Sequence, residues 1–187
     1  MDILVVDNGT YYLSHLTRLL KKHHCRIIRY SEIDSVCPND FDAIILSGGH
    51  DFPVSGNQTR LQKEIDLVKK SKRPIFGICF GYELIATALG AKLRLLRKKE
   101  KGIADIQVVA KDKIFNNIDS FQVFENHRWV IVRGSSDNLK VLARSRDGIE
   151  IIKHKSKSIY GVQFHPEMFV QQTCGDEILN NFLNLIH

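Results

Sequence analysis

Cys79 stands between two glycines in Gly77-Ile-Cys-Phe-Gly81, where an apolar run gives way to residues recurring at helical spacing. A cysteine at such a junction, with glycine at i−2 and i+2, has the form of a nucleophile elbow. The small residues permit a tight strand-to-helix turn that pushes the side chain out above a sheet. The thiol would then sit at a helix N-terminus, where the macrodipole and free N–H groups favour thiolate and lower its pKa. Taken alone, the pentapeptide also fits a buried cysteine between packing glycines. A second group, His165-Pro166-Glu167, follows an apolar stretch ending in Gln163-Phe164. In extended chain, residues two apart point the same way, so Glu167 can hold the His165 ring while its other nitrogen faces a thiol. By itself such a tripeptide at the end of a strand is more often a loop than a catalytic pair. A third, Ser47-Gly48-Gly49, also ends an apolar run; the N–H of Gly49 with that of Phe80 would make an oxyanion hole, with Gly48 on the substrate side. Cysteine, histidine, carboxylate and two donors together describe attack on an acyl carbon through a thioester.

These residues need a frame that brings them to one edge. Ile3–Val6, Cys25–Tyr30, Ala43–Leu46 and Pro74–Ile78 read as short strands, the apolar ones as buried parallel strands. Between them, Leu13, Leu16, Leu20 and then Leu61, Ile65, Val68 recur at helical spacing, and Leu84, Ile85, Ala88, Leu89 continue the elbow helix until Gly90. Alternating strands and helices predict an α/β fold, an open and mostly parallel sheet with helices on both faces. From about residue 92 to 160 the pattern changes to short strand-like stretches (103–109, 121–124, 141–143, 149–152), predicting a small peripheral antiparallel sheet. Buried-strand character returns at Ile159–Phe164, and Ile178, Phe182 and Ile186 close with a helix. The three chemical groups all fall at the carboxyl ends of apolar strands, the edge where open α/β sheets bind ligands, and that coincidence favours the catalytic reading of each. Asp7-Asn8, at the first such end, reads as an Asx turn.

The length of 187 residues suits one domain, 1–187. The opening Asp2 and four-residue apolar run have neither the shape of a signal peptide nor the length of a membrane span, so a cytoplasmic protein is expected. Four cysteines, widely spaced and without a CxxC pair, suggest neither a zinc site nor a disulfide framework. The net charge of +6 is concentrated: twelve Lys/Arg against four Asp/Glu lie between Arg60 and Lys101. This basic segment reads as a solvated face or as a docking surface for a protein partner. Nucleic acid is not expected, because no aromatic residues interleave the run.

In order and spacing, Ser47-Gly48-Gly49, Gly77-Ile-Cys-Phe-Gly81 and Val162-Gln-Phe-His-Pro-Glu167 resemble the class I (triad) glutamine amidotransferases, over nearly the whole chain. Val5-Val-Asp-Asn-Gly9, Phe124-Glu-Asn-His127, Leu142-Ala-Arg-Ser145 and Ile159–Glu167 are most similar to the separate glutaminase subunits of two-chain, archaeal-type GMP synthetases. The resemblance implies a glutaminase in which Cys79 forms a γ-glutamyl thioester, His165 is base and then acid, and Glu167 orients it. It implies no cofactor and no metal. Ammonia would pass to an ATP-dependent synthetase on another polypeptide, docked on the basic face. By family position, Asn126 and the backbone of Arg128 and Trp129 would cradle the backbone of glutamine.

Three positions depart from the family pattern. Glu83 replaces the common glutamine four residues after the nucleophile, where as an ionised carboxylate it could only accept hydrogen bonds. His50 replaces the proline after the Gly-Gly turn, and Arg128-Trp129 replaces a small or acidic pair. A standalone hydrolase of γ-glutamyl amides or peptides, or a degenerate amidotransferase kept as a binding module, therefore stands beside the leading reading.

Overall fold

The computed structural model describes residues 1–116 and 118–186. Nine strands form one sheet: β1 (Asp2–Asn8), β2 (His24–Arg29), β3 (Ala43–Gly49), β4 (Ile75–Ile78), β5 (Leu93–Val108), β6 (Ser120–Ile131), β7 (Leu139–Arg144), β8 (Ile149–His154) and β9 (Ile159–Val162). Among the described residues four α-helices accompany them: α1 (Leu13–Leu19), α2 (Gln62–Lys70), α3 (Phe80–Ala88) and α4 (Gly175–Asn184). The strand order is β2-β1-β3-β4-β9-β8-β7-β5-β6. The first five in this order pair in parallel and the remainder antiparallel.

The parallel half follows from its sequence. Consecutive apolar residues on β1 and β3 alternate between two cores: Leu4, Val6, Ile44 and Leu46 pack with α2 and α3, while Ile3, Val5, Ala43 and Ile45 pack with α1 and α4. A strand covered on both faces needs apolar residues at every position, which is why these segments read as unbroken apolar runs.

The antiparallel half is larger than its sequence suggests and continuous with the parallel half. β5 runs for 16 residues and takes in the basic run Arg94–Lys101. β6 does not stop at Phe124 but carries Asn126 to Trp129 as strand. β5 is mostly exposed and charged, and β6, though mostly buried, is crossed by the polar run Glu125-Asn-His-Arg128, so in both strands the apolar pattern understates the extent. They also curl back on the sheet: beyond β9, the His165 amide donates to the carbonyl of Phe124 on β6 (2.9 Å) and the Cys174 amide to that of Gln122 (2.9 Å). The curl brings β6 to the carboxyl edge of the parallel strands. Among the described residues no helix is long and apolar enough to cross a membrane.

Candidate active site

The elbow is strained at its centre. Cys79 has φ +49° and ψ −98°, in a region that side chains rarely adopt. Its amide donates to the Val162 carbonyl (2.8 Å) and its carbonyl accepts from Glu83 (2.9 Å), so the turn is anchored to β9 on one side and α3 on the other. The flanking glycines serve close packing. A Cβ on Gly81 would lie 2.3 Å from the Leu46 carbonyl oxygen, and one on Gly77 would lie 2.5 Å from that of Gly81. Helix α3 can therefore start directly against β3 and β4.

His165 and Glu167 follow β9. Nδ1 of His165 lies 2.9 Å from Oε1 of Glu167, and both side chains are buried. With Nδ1 committed to the carboxylate, Nε2 is the nitrogen left for other work. The ring rests over Gly48, where a Cβ would meet its Cε1 at 3.0 Å, and the ring of Tyr12 stands edge-on to it at 4.8 Å. The hydroxyl of Tyr12 accepts a bond from Nδ2 of Asn126 (2.8 Å). Oδ1 of Asn126 is left as an unpartnered buried acceptor.

A cavity of about 500 Å3 is lined by Cys79, His165, Gly49, Phe80, Glu83 and Asn126, with Arg128, Trp129, Lys99 and His50 around them. Glu167 lies behind His165, outside the cavity wall, as does Gly48 beneath the ring. Asp7 makes the expected Asx turn, its Oδ1 accepting from the amides of Gly9 (2.9 Å) and Thr10 (3.2 Å).

Two expectations about the thiol are corrected. Cys79 does not project into solvent: it is 6% exposed, on the floor of the cavity. Nor is its pKa lowered. Burial raises it well above the ordinary thiol value, and the carboxyl groups of Glu83 and Glu167 raise it further, outweighing the Phe80 N–H at the start of α3 and the charge of Lys99. The resting group is a thiol, and ionisation has to accompany transfer of its proton to a base. Glu83 is corrected too. It is 5% exposed, and burial pushes its carboxyl to about 8 against the opposing hydrogen bond from Gln163. At neutral pH it is largely protonated and can donate a hydrogen bond as well as accept one.

The sequence profile of the glutamine amidotransferase class-I family matches residues 4–185. The chain belongs to the class I glutamine amidotransferases. Among relatives, it is 35% identical to the glutamine-hydrolysing GMP synthase subunit of Pyrococcus abyssi, covering 98% of this chain and 97% of that one. It is 36% identical to the corresponding subunit of Methanococcus maripaludis strain C5, covering 96% and 94%. Among solved structures, a candidate GMP synthase subunit from Thermoplasma acidophilum superimposes with a TM-score of 0.84 at 28% identity, covering 100% of this chain and 94% of that one. A glutamine amidotransferase from Thermotoga maritima shares the fold, with a TM-score of 0.75 at 17% identity, covering 99% and 81%.

Against this family background, three features of the amidotransferase site escape a reading by motif. Tyr12 joins Asn126 to the His165 ring, and its only sequence signal is its place just beyond the carboxyl end of β1. Gln163, fully buried, has Nε2 4.0 Å from the Cys79 sulfur. Lys99 reaches the cavity through a bulge: Leu95 pairs with Trp129 and Glu100 with His127, so four residues of β5 loop out opposite one of β6. The basic segment is accordingly divided. Part lies on α2, where Lys63 pairs with Asp34 and Lys70 with Asp66, and part lies on β5 beside the cavity.

Proposed function

We propose that the chain is the glutaminase subunit of a two-chain GMP synthase, hydrolysing glutamine to glutamate and ammonia for the amination of XMP on a separate ATP-dependent synthetase. Near-complete mutual coverage with relatives named as glutamine-hydrolysing GMP synthase subunits supports this reading, and the cavity holding Cys79 and His165 supports the chemistry. Nε2 of His165 takes the thiol proton as sulfur attacks the amide carbon of glutamine, and Glu167 stabilises the imidazolium through Nδ1. The N–H groups of Gly49 and Phe80 receive the oxyanion. His165 then returns the proton to the departing ammonia, leaving a γ-glutamyl thioester on Cys79. Water, deprotonated by the same imidazole, hydrolyses the thioester to glutamate.

Asn126 Oδ1 is placed to accept from the α-ammonium group of glutamine, and Glu83, Arg128 and Trp129 shape the rest of the cavity. The observation that carries the reading is the His165–Glu167 pair at 2.9 Å beside a cavity floored by Cys79. The β5 part of the basic segment, at the cavity margin, is the docking face assigned to the synthetase, and a cytoplasmic location accords with that partnership. The test is a glutaminase assay of the chain alone and with the synthetase subunit of the same organism. A low rate alone, raised by the synthetase and less so at high salt, is expected. Full activity alone, unchanged by any synthetase, would instead favour a γ-glutamyl hydrolase, the reading to which Arg128-Trp129 lends weight.

A further inference from the structure

Behind the glutamine cavity, on the inside of the curled sheet, Glu125 and His127 of β6 meet Glu150 of β8. In the plane of the sheet these strands are three places apart, roughly 14 Å at ordinary strand spacing. Only the curl brings one nitrogen and two carboxylate oxygens within 4.8 Å of one another. The side chain of His127 is 0% exposed and that of Glu125 3%. Among the described residues neither carboxylate has a lysine or arginine partner.

Hydrogen bonding orients this set for a ligand. Nδ1 of His127 lies 3.1 Å from the Trp129 carbonyl oxygen, which can only accept, so Nδ1 carries the proton and Nε2 points inward. Ser145 donates to Oε1 of Glu150 (2.8 Å), which turns Oε2 inward. Nε2 of His127, Oε1 of Glu125 and Oε2 of Glu150 are all buried without a hydrogen-bond partner. Nε2 is 3.7 Å from Oε2 of Glu125, beyond hydrogen-bond length. Elsewhere in the same chain, His165 and Glu167 do share a proton, and their atoms stand at 2.9 Å. The wider gap matches two ligands on a common ion better than a donor facing an acceptor, since bonds of about 2.0–2.2 Å at tetrahedral angles hold ligand atoms roughly 3.3–3.6 Å apart. A ligating histidine that donates its second N–H to a carbonyl, beside a carboxylate held by a hydroxyl, is the usual outer arrangement of a metal site.

We propose that Glu125, His127 and Glu150 bind one divalent cation, of the zinc or manganese class, which ties β6 to β8 behind the glutamine cavity. One imidazole and two carboxylates suit those ions. The ion is structural: it joins the three buried side chains and fixes the strand from which Asn126 and Trp129 face the cavity. No step of glutamine hydrolysis passes through it. The cysteine spacing gives no hint of such a site, because its ligands come from two strands brought together only by the curl.

The test uses the full chain without a histidine tag, stripped with a chelator and then titrated with zinc, manganese or cobalt chloride. About one equivalent bound is expected, with melting raised by roughly 5–10 °C at metal a hundredfold above its Kd. The cobalt form should show the visible absorption of a low-coordinate site. Glu150→Gln and His127→Gln should each lose the tight equivalent and the cobalt spectrum. Should either variant fail to fold, the cobalt spectrum and melting shift of the wild-type chain still decide. Three results would overturn the proposal: no bound equivalent in the wild-type chain, binding that persists in a folded Glu150→Gln protein, or a Glu150→Gln variant more stable than the wild type at every metal concentration. The last outcome would mean that the cluster shares a proton instead.

Discussion

A strained backbone and a raised thiol pKa both sit at Cys79, and each has a measurable consequence. Cys79→Ala and Cys79→Gly should both lose glutaminase activity by several orders of magnitude. They should differ in stability, because only glycine relaxes at φ +49°. Cys79→Gly is expected to be the more stable by about 1 kcal/mol in denaturant melts, and equal stability would mean that the elbow stores no strain. Glu83 makes a second test. Its carboxyl is largely protonated below about 8 and so stands in for the glutamine common in the family. Glu83→Gln should leave kcat/KM and the rate of Cys79 alkylation nearly unchanged near neutral pH. Above about 8 the wild-type carboxylate ionises, loses its donor and opposes the thiolate, so the variant should become the faster of the two. A several-fold difference already present near pH 6.5 would show that Glu83 is ionised in the folded protein.

At the scale of elements, the elbow depends on how closely α3 approaches β3. Gly81→Ala would place a methyl 2.3 Å from the Leu46 carbonyl, so the helix must shift. A loss of about 1–3 kcal/mol is expected, with a fall in kcat/KM because Cys79 and Phe80 move with the helix. Gly56→Ala is the control: φ is +84° but nothing lies within 4 Å, so stability should fall while the kinetics hold. If both variants keep wild-type kinetics, the close approach is not what positions the thiol. The β5 bulge is the other device of this scale, converting part of a charged strand into the cationic rim of the cavity.

Across the whole molecule, burial of carboxyl groups shapes the response to pH. Glu64 on α2 and Glu83 on α3 hold their protons to about 8 when folded, against 4.5 for an ordinary glutamate. Between those values the folded state carries the additional protons. Each group therefore lowers stability progressively as pH rises through that window, with no further loss above about 8. Glu64→Gln removes its share of this loss. The variant's advantage in unfolding free energy should grow from about pH 5 to about pH 8, by on the order of a few kcal/mol. An advantage that does not change with pH would mean that Glu64 finds a compensating partner when it ionises.

The sequence by itself determined the parallel half of the fold and the order of the chemical groups along it. Short unbroken apolar runs bounded by turn residues suit strands covered on both faces, and Cys79, His165 and Gly49 each stand where such a run ends. The family was legible for the same reason, since its motifs lie at these ends. Tertiary structure decided how long β5 and β6 are, because neither an exposed charged strand nor a buried strand crossed by polar residues carries an unbroken apolar signature. It also decided that Cys79 is buried and Glu83 protonated: desolvation depends on what the curled sheet places above a residue, and that residue's neighbours in sequence do not reveal it. Tyr12 beside His165, Lys99 at the rim, and Glu125 and His127 facing Glu150 are contacts across long sequence separations, and only strand pairing and the curl bring such residues together.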